Sequence, residues 1–162
     1  MTATESSFDK ARRKLVAARI EFMGQLAKFS KEALKLAPTG DEWSPLQLAH
    51  HLYIADGLAL EQMRRVQEED NPLVADLSVE TPHLTRTSEP PVSLDAVLGG
   101  MAARREELYE YLSSLPDDAW VRPFRHEALG QLKFYQLVNI LPAHDKKHAQ
   151  QLLELRERAS DG

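Results

Sequence analysis

Two histidines, His144 and His148, stand four residues apart in the segment LPAHDKKHAQQL, residues 141–152. An α-helix turns by about 100° per residue, so side chains at this spacing project from one face. Imidazole nitrogens bind zinc, nickel, copper and iron(II), and a pair at this spacing can share one ion. On this evidence two interpretations stay open: a metal-binding pair, or two histidines that a helix buries without a metal.

A third histidine, His51, lies in the segment EWSPLQLAHHL, residues 42–52. Counted around a helix, His51 falls within about 60° of the apolar Leu48, whereas His50 falls towards the flank. His144 and His148 lie, by the same count, on the apolar side of their own helix. Three inward imidazoles that bind one ion would leave coordination positions for water or substrate, which is typical of a catalytic site.

The polar neighbours of these histidines differ in what they can do. Asp145 points about 100° away from His144, so it is not expected to orient that ring. Gln151 shares the histidine face and is the candidate to support a ligating ring from behind. Arg105 either extends outwards to solvent or meets an anion in a pocket, and the first reading is preferred. Asp56 is expected at the surface. His126 could line the mouth of a pocket, but a surface position is preferred.

The chain divides into four predicted helices, over residues 8–37, 44–69, 93–116 and 131–158, with little strand signal. Ser44 is a predicted N-cap, with Pro45 at the first helical position and Gln47 completing a capping box. The proline-rich residues 70–92 predict a crossover long enough to span a helix of about 30 Å. We predict an all-α fold, a single domain over residues 1–162 that forms a four-helix bundle. An up-down-up-down topology would place His148 further in depth from His51, and the crossover permits the preferred topology, up-down-down-up. This topology places the three histidines at compatible depths.

The composition excludes several classes of protein. The formal charge of −5 argues against a nucleic-acid partner. The chain has no cysteine, so any metal ligands must be histidines or carboxylates. There is no signal peptide and no apolar run of roughly 18 residues, so we expect a cytoplasmic protein without a membrane partner.

Several short motifs together resemble the DinB-like superfamily, which includes bacillithiol S-transferases and mycothiol-dependent maleylpyruvate isomerases. The residues that carry the resemblance are Trp43-Ser44-Pro45, His51-Leu52, and His144-Asp145-x-x-His148-x-x-Gln151. The resemblance spans nearly the whole chain and implies an up-down-down-up bundle that is often a homodimer. It also implies a divalent metal ion, usually zinc or nickel, bound by His51, His144 and His148.

The resemblance and the absence of cysteine lead to a functional hypothesis. A bound metal would lower the pKa of a low-molecular-weight thiol and hold it beside a small electrophilic substrate. Because the chain has no cysteine, the thiol would have to be a cosubstrate. A metal-dependent hydrolase is one alternative. The other is a non-enzymatic, stress-related helical dimer with a structural metal or none.

Overall fold

Four long helices form the body of the protein in the computed structural model, which describes residues 5–38, 42–78, 81–82, 85 and 93–161. The helices are α1 (Ser7–Leu26), α2 (Pro45–Glu68), α3 (Leu94–Ser113) and α4 (Phe134–Asp161). The predicted four-helix bundle is therefore confirmed. No helix among these residues is both long enough and apolar enough to cross a bilayer.

The start of α2 follows the predicted capping pattern. The Ser44 hydroxyl accepts a hydrogen bond from the Gln47 backbone at 3.2 Å, and the Gln47 side chain accepts one from the Ser44 backbone at 2.8 Å. These two bonds satisfy amide groups that a helix start leaves without partners. The capping box thereby sets where α2 begins, and with it the depth of His51 two turns later.

The first helix ends earlier than predicted, at Leu26 and not at Ala37. A turn follows, and a short 3₁₀ helix, Ala33–Lys35, precedes α2. Leu34, on this 3₁₀ helix, is only 6% exposed and packs into the core. Burial of Leu34 against the end of the bundle replaces the further helical turns that periodicity alone predicts.

A small sheet joins two of the helices, which the weak strand signal does not predict. Its strands are β1 (Leu73–Val74), β2 (Pro123–His126) and β3 (Gly130–Lys133). β1 pairs in parallel with β2, and β2 pairs antiparallel with β3. Strands of two to four residues are too short for a clear alternating pattern. As a result α4 begins at Phe134, three residues after its predicted start.

Helices α2 and α3 run in the same direction. The Arg104 guanidinium lies over the Tyr53 ring at 4.0 Å from its centre, and further along both helices Arg64 pairs with Glu107 at 3.1 Å. The crossover between these helices is the predicted long one. Of the crossover, residues 79–80, 83–84 and 86–92 lie outside the described residues.

Helices α1 and α4 are also parallel to each other and opposite to α2. Arg19 contacts Asp145, and nearer the ends of the two helices Arg156 donates to Gln25 at 3.1 Å. The sheet ties the end of α2 to the start of α4, so those two helices are antiparallel. The bundle is therefore up-down-down-up, as predicted.

Candidate metal centre

The imidazoles of His51, His144 and His148, here called the histidine triad, meet between α2 and α4. The Nε2 atom of His144 lies 3.0 Å from Nε2 of His51 and 3.0 Å from Nε2 of His148. One candidate ligand atom from each residue lies within 4.8 Å of the other two. Two ligands that bind one ion at 2.0–2.1 Å with angles of 90–110° would be about 2.8–3.4 Å apart. The two 3.0 Å distances from His144 thus fit one shared cation.

Hydrogen bonds at the opposite ring nitrogens favour the ligand-competent tautomer of two triad members. The Thr85 hydroxyl donates to the Thr81 carbonyl at 2.8 Å, so its oxygen can accept from Nδ1 of His51 at 3.3 Å. The Gln151 Oε1 atom can only accept, and it lies 2.8 Å from Nδ1 of His148. Both rings then carry their proton on Nδ1 and turn the Nε2 lone pair to the common centre.

Burial keeps the triad uncharged. Loss of hydration lowers the pKa of His51 to about 2, with a further contribution from His144 and His148. Burial likewise lowers the pKa of His144 to about 3, and it lowers the pKa of His148. Protons therefore do not compete for the nitrogens at neutral pH. The Nε2 atoms of His51 and His148 both turn a lone pair towards Nε2 of His144, which carries at most one hydrogen. His144 can donate that hydrogen to only one of them, so in the other contact two lone pairs would face each other unless a cation lies between them.

Trp43, just before the Ser44 cap, lies against the triad. Its ring centre is 4.7 Å from that of His51, with the planes tilted by 47°. The Trp43 ring also packs against the apolar core. It also covers one side of a triad ring, so the capping segment shapes the candidate site directly.

A buried group of four charged residues crosses the bundle at the depth of the triad, with one member on each helix. We call Arg19, Asp56, Arg105 and Asp145 the ion quartet. Their side chains are 10%, 2%, 5% and 1% exposed. Six hydrogen bonds between 2.8 and 3.2 Å join the two guanidinium groups to the two carboxylates. Two positive charges therefore face two negative ones.

The ion quartet separates two apolar clusters of the core. On α1, for example, Arg19 stands between Leu15 of one cluster and Phe22 of the other. Burial alone would lower the pKa of Arg105, but the carboxylates of Asp56 and Asp145 outweigh this effect and raise it. The expectations that Arg105 extends to solvent and that Asp56 is solvated are therefore wrong. Asp145 is bound to both arginines, away from the triad.

A cavity of about 290 Å³ opens beside the triad member His144. Most of its wall is apolar, and three polar residues, Asp76, Ser78 and His126, also line it. The walls belong to α2, α4, the sheet and the start of the crossover: Ala55, Leu77, Ala128, Leu129, Ile140 and Leu141. His126 is 6% exposed, so its expected position at the surface is also wrong. In β2 the inward-facing Phe124 and His126 alternate with exposed residues, but a strand of four residues is too short for the sequence to signal this.

Together the fold and the site define a four-helix bundle with a histidine triad between its second and fourth helices. Residues 12–152 match the sequence model of the DinB superfamily, and the chain belongs to that superfamily.

Individual proteins are similar to this chain in sequence or in fold. The uncharacterized protein YuaE of Bacillus subtilis is 26% identical over 153 residues, which cover 87% of this chain and 94% of YuaE. The structure of YfiT from Bacillus subtilis, described as a probable metal-dependent hydrolase with an unusual four-helix bundle topology, superposes with a TM-score of 0.73 at 16% identity. That match covers 98% of this chain and 91% of YfiT. The colibactin self-resistance protein ClbS, solved in complex with a double-stranded DNA, gives 0.73 at 10% identity over 96% and 98% of the two chains.

Proposed function

We propose that this protein is a metal-dependent enzyme that holds one divalent ion on His51, His144 and His148 and acts on a small molecule. The observation that carries the proposal is the convergence of three Nε2 atoms, two of them held from behind by Thr85 and Gln151. A structural zinc site normally has four protein ligands, whereas three leave room for an exogenous one.

The residues of the candidate site would have three separate roles. The triad binds the ion, and when bound, the ion supplies Lewis acidity that lowers the pKa of a thiol or water beside it. Thr85 and Gln151 hold two of the rings in place. Trp43 and the apolar wall of the cavity limit access of water, which strengthens electrostatic interactions at the site.

Thiol transfer is the reaction that we propose within this class. The protein has no cysteine, so the thiol would enter as a cosubstrate and attack a small electrophile bound in the cavity. Zinc and nickel both suit three imidazoles. Hydrolysis is the second candidate, favoured by the similarity of fold to YfiT.

Two further expectations concern partners. The dimer stays a prediction, which analytical ultracentrifugation of the purified protein would test. The DNA complex belongs to ClbS, and the formal charge of −5 on this chain does not favour binding to phosphates.

Metal analysis of protein purified without a histidine tag tests the class. We expect about one divalent ion per chain in the wild type and its loss in His148→Ala. The matched control is His50→Ala, which removes the half-buried neighbour of His51 that is not part of the triad. Metal-free wild-type protein that takes up no zinc or nickel in a titration would refute the proposal.

Activity assays then separate the two reactions. Low-molecular-weight thiols would be screened with 1-chloro-2,4-dinitrobenzene as a chromogenic electrophile, and hydrolysis would be followed with p-nitrophenyl acetate. Thiol-dependent turnover that disappears in His148→Ala supports thiol transfer. Metal-dependent hydrolysis without thiol-dependent turnover supports the second candidate.

A further inference from the structure

The geometry points to His126 as a binding residue for an uncharged carbonyl oxygen of the substrate, which would occupy the 290 Å³ cavity beside His144. This inference rests on the proposed function, because it assigns the cavity next to the triad to the substrate. The inference adds His126 to the candidate site, outside the triad, and restricts the substrate to molecules with a neutral carbonyl group.

The ring of His126 is fixed by its own hairpin. The backbone amides of Ala128 and Leu129 both donate to its Nδ1 atom, each at 3.0 Å. Two N–H donors at one nitrogen require a lone pair there, so Nδ1 carries no proton. The ring is then neutral and carries its hydrogen on Nε2, where it is a donor only.

The Nε2–H group of His126 has no hydrogen-bond acceptor among the residues that the structure describes. Nε2 of His126 is not among the fully enclosed side-chain atoms that lack a partner, so this donor is accessible to a group that enters the cavity. The ring lines a cavity whose other walls are mostly apolar side chains. A small ligand with one acceptor oxygen and an apolar body satisfies both the donor and the walls.

Asp76 narrows the class of acceptor. Its carboxylate lines the same cavity and accepts from the Ser78 backbone at 2.9 Å and from the Ser78 hydroxyl at 2.7 Å. Hydrogen bonds from Ser78 lower the pKa of Asp76, so the carboxylate is ionised at neutral pH. A carboxylate of the ligand placed directly beside Asp76 would be repelled, so a neutral acceptor oxygen is preferred at the His126 donor. The favoured ligand therefore has a neutral carbonyl group.

Two probes of nearly the same shape test the inference on the zinc-loaded protein. Acetophenone has a neutral carbonyl and an apolar ring, and ethylbenzene has the same ring without the oxygen. The informative variant is His126→Asn, because the asparagine Oδ1 takes the place of Nδ1 as acceptor for the hairpin amides. Its Nδ2–H2 group then lies near the position of the ring Cδ2, so no donor remains at the position of Nε2. Zinc content and thermal unfolding of the variant would be measured alongside, to establish that the site and the fold are retained.

We expect acetophenone to bind the wild type about fivefold more tightly than His126→Asn, as for the loss of one neutral hydrogen bond. Ethylbenzene should bind both proteins equally. Equal affinity of acetophenone for both proteins, or no binding of acetophenone to the wild type, would overturn the inference. A second measurement needs no variant: in ¹⁵N-histidine-labelled wild type, the His126 Nε2–H signal should shift with acetophenone and not with ethylbenzene. An unprotonated Nε2, or no such shift, would also overturn it.

The outcomes remain separate from those of the proposed function. Failure to bind zinc or nickel in the metal titration would refute the metal-dependent class, whatever the probes do. Normal zinc binding with no difference between the probes would refute only the role of His126.

Discussion

Replacing Arg105 with methionine tests whether the ion quartet holds the four helices together. Methionine keeps much of the apolar length of the side chain but removes the guanidinium. Arg105 makes three of the six hydrogen bonds within the quartet. Its loss leaves Asp56 and Asp145, both almost fully buried, to share the single charge of Arg19.

The expected cost follows from the burial of the charge that is left over. Removal of one partner from a buried ion pair typically costs about 3–5 kcal/mol, because the remaining charge is neither hydrated nor neutralised. A domain of this size unfolds with roughly 5–15 kcal/mol. At about 2–4 °C per kcal/mol, the melting temperature should fall by about 6–20 °C.

Urea unfolding followed by circular dichroism measures this difference. The matched control is Arg65→Met, which breaks the exposed Arg65–Glu69 pair at 2.9 Å and should cost less than about 1 kcal/mol. Adding Asp56→Asn to Arg105→Met removes the excess buried charge and should restore at least about 1 kcal/mol. If Arg105→Met is as stable as the control, or if Asp56→Asn restores nothing, the quartet does not act as argued.

Three further predictions concern the triad and the helices. Gln151→Leu removes the acceptor that holds one triad ring and should weaken zinc affinity by about 10–100-fold. Gln150→Leu, at an exposed position, should leave the affinity unchanged in the same competition titration. Burial lowers the pKa of two triad histidines to about 2 and about 3, so below pH 6.5 the unfolded chain binds protons that the folded, metal-free protein does not. The unfolding free energy of the metal-free protein should therefore fall with decreasing pH, by up to about 1.4 kcal/mol per pH unit for each histidine. If replacing both His51 and His144 with asparagine leaves the dependence of unfolding free energy on pH unchanged, this prediction is wrong. Gly99→Ala should raise the unfolding free energy by about 1 kcal/mol, since apart from its chain neighbours and the nearby backbone of its own helix no atom lies within 4 Å of the added carbon. Gly100→Ala should raise it less, because there the added carbon would lie 3.0 Å from the Tyr53 ring.

Local sequence signals predict the parts of the structure that depend on neighbours along the chain. The capping box joins Ser44 and Gln47, which are only three positions apart in the chain, and it forms as predicted. The faces of α2 and α4 that carry the triad follow from a rotation of about 100° per residue. The long crossover predicts the parallel pair of middle helices, which brings His51 to the depth of His144 and His148.

The small sheet and the burial of His126 could not be predicted in this way. β1 and β2 are about 50 residues apart in the chain, and their register pairs Leu73 with Arg125. Each strand is too short to give a recognisable sequence pattern, and each forms because it pairs with the other. His126 is buried because β2 has this partner, and the cavity that it lines exists only once the sheet meets α4.

The sequence by itself determined the four helices and the inward faces of the three histidines, because periodicity and caps are local properties. The length of the crossover permitted the topology that the bundle has. Only the tertiary structure determined which charged residues are buried and which partners they bind. Arg105 and Asp56 read as solvated when each helix is considered alone, since an isolated helix offers them no partner. In the folded bundle each meets opposite charges from other helices, and a charge pattern within one helix carries no information about those partners.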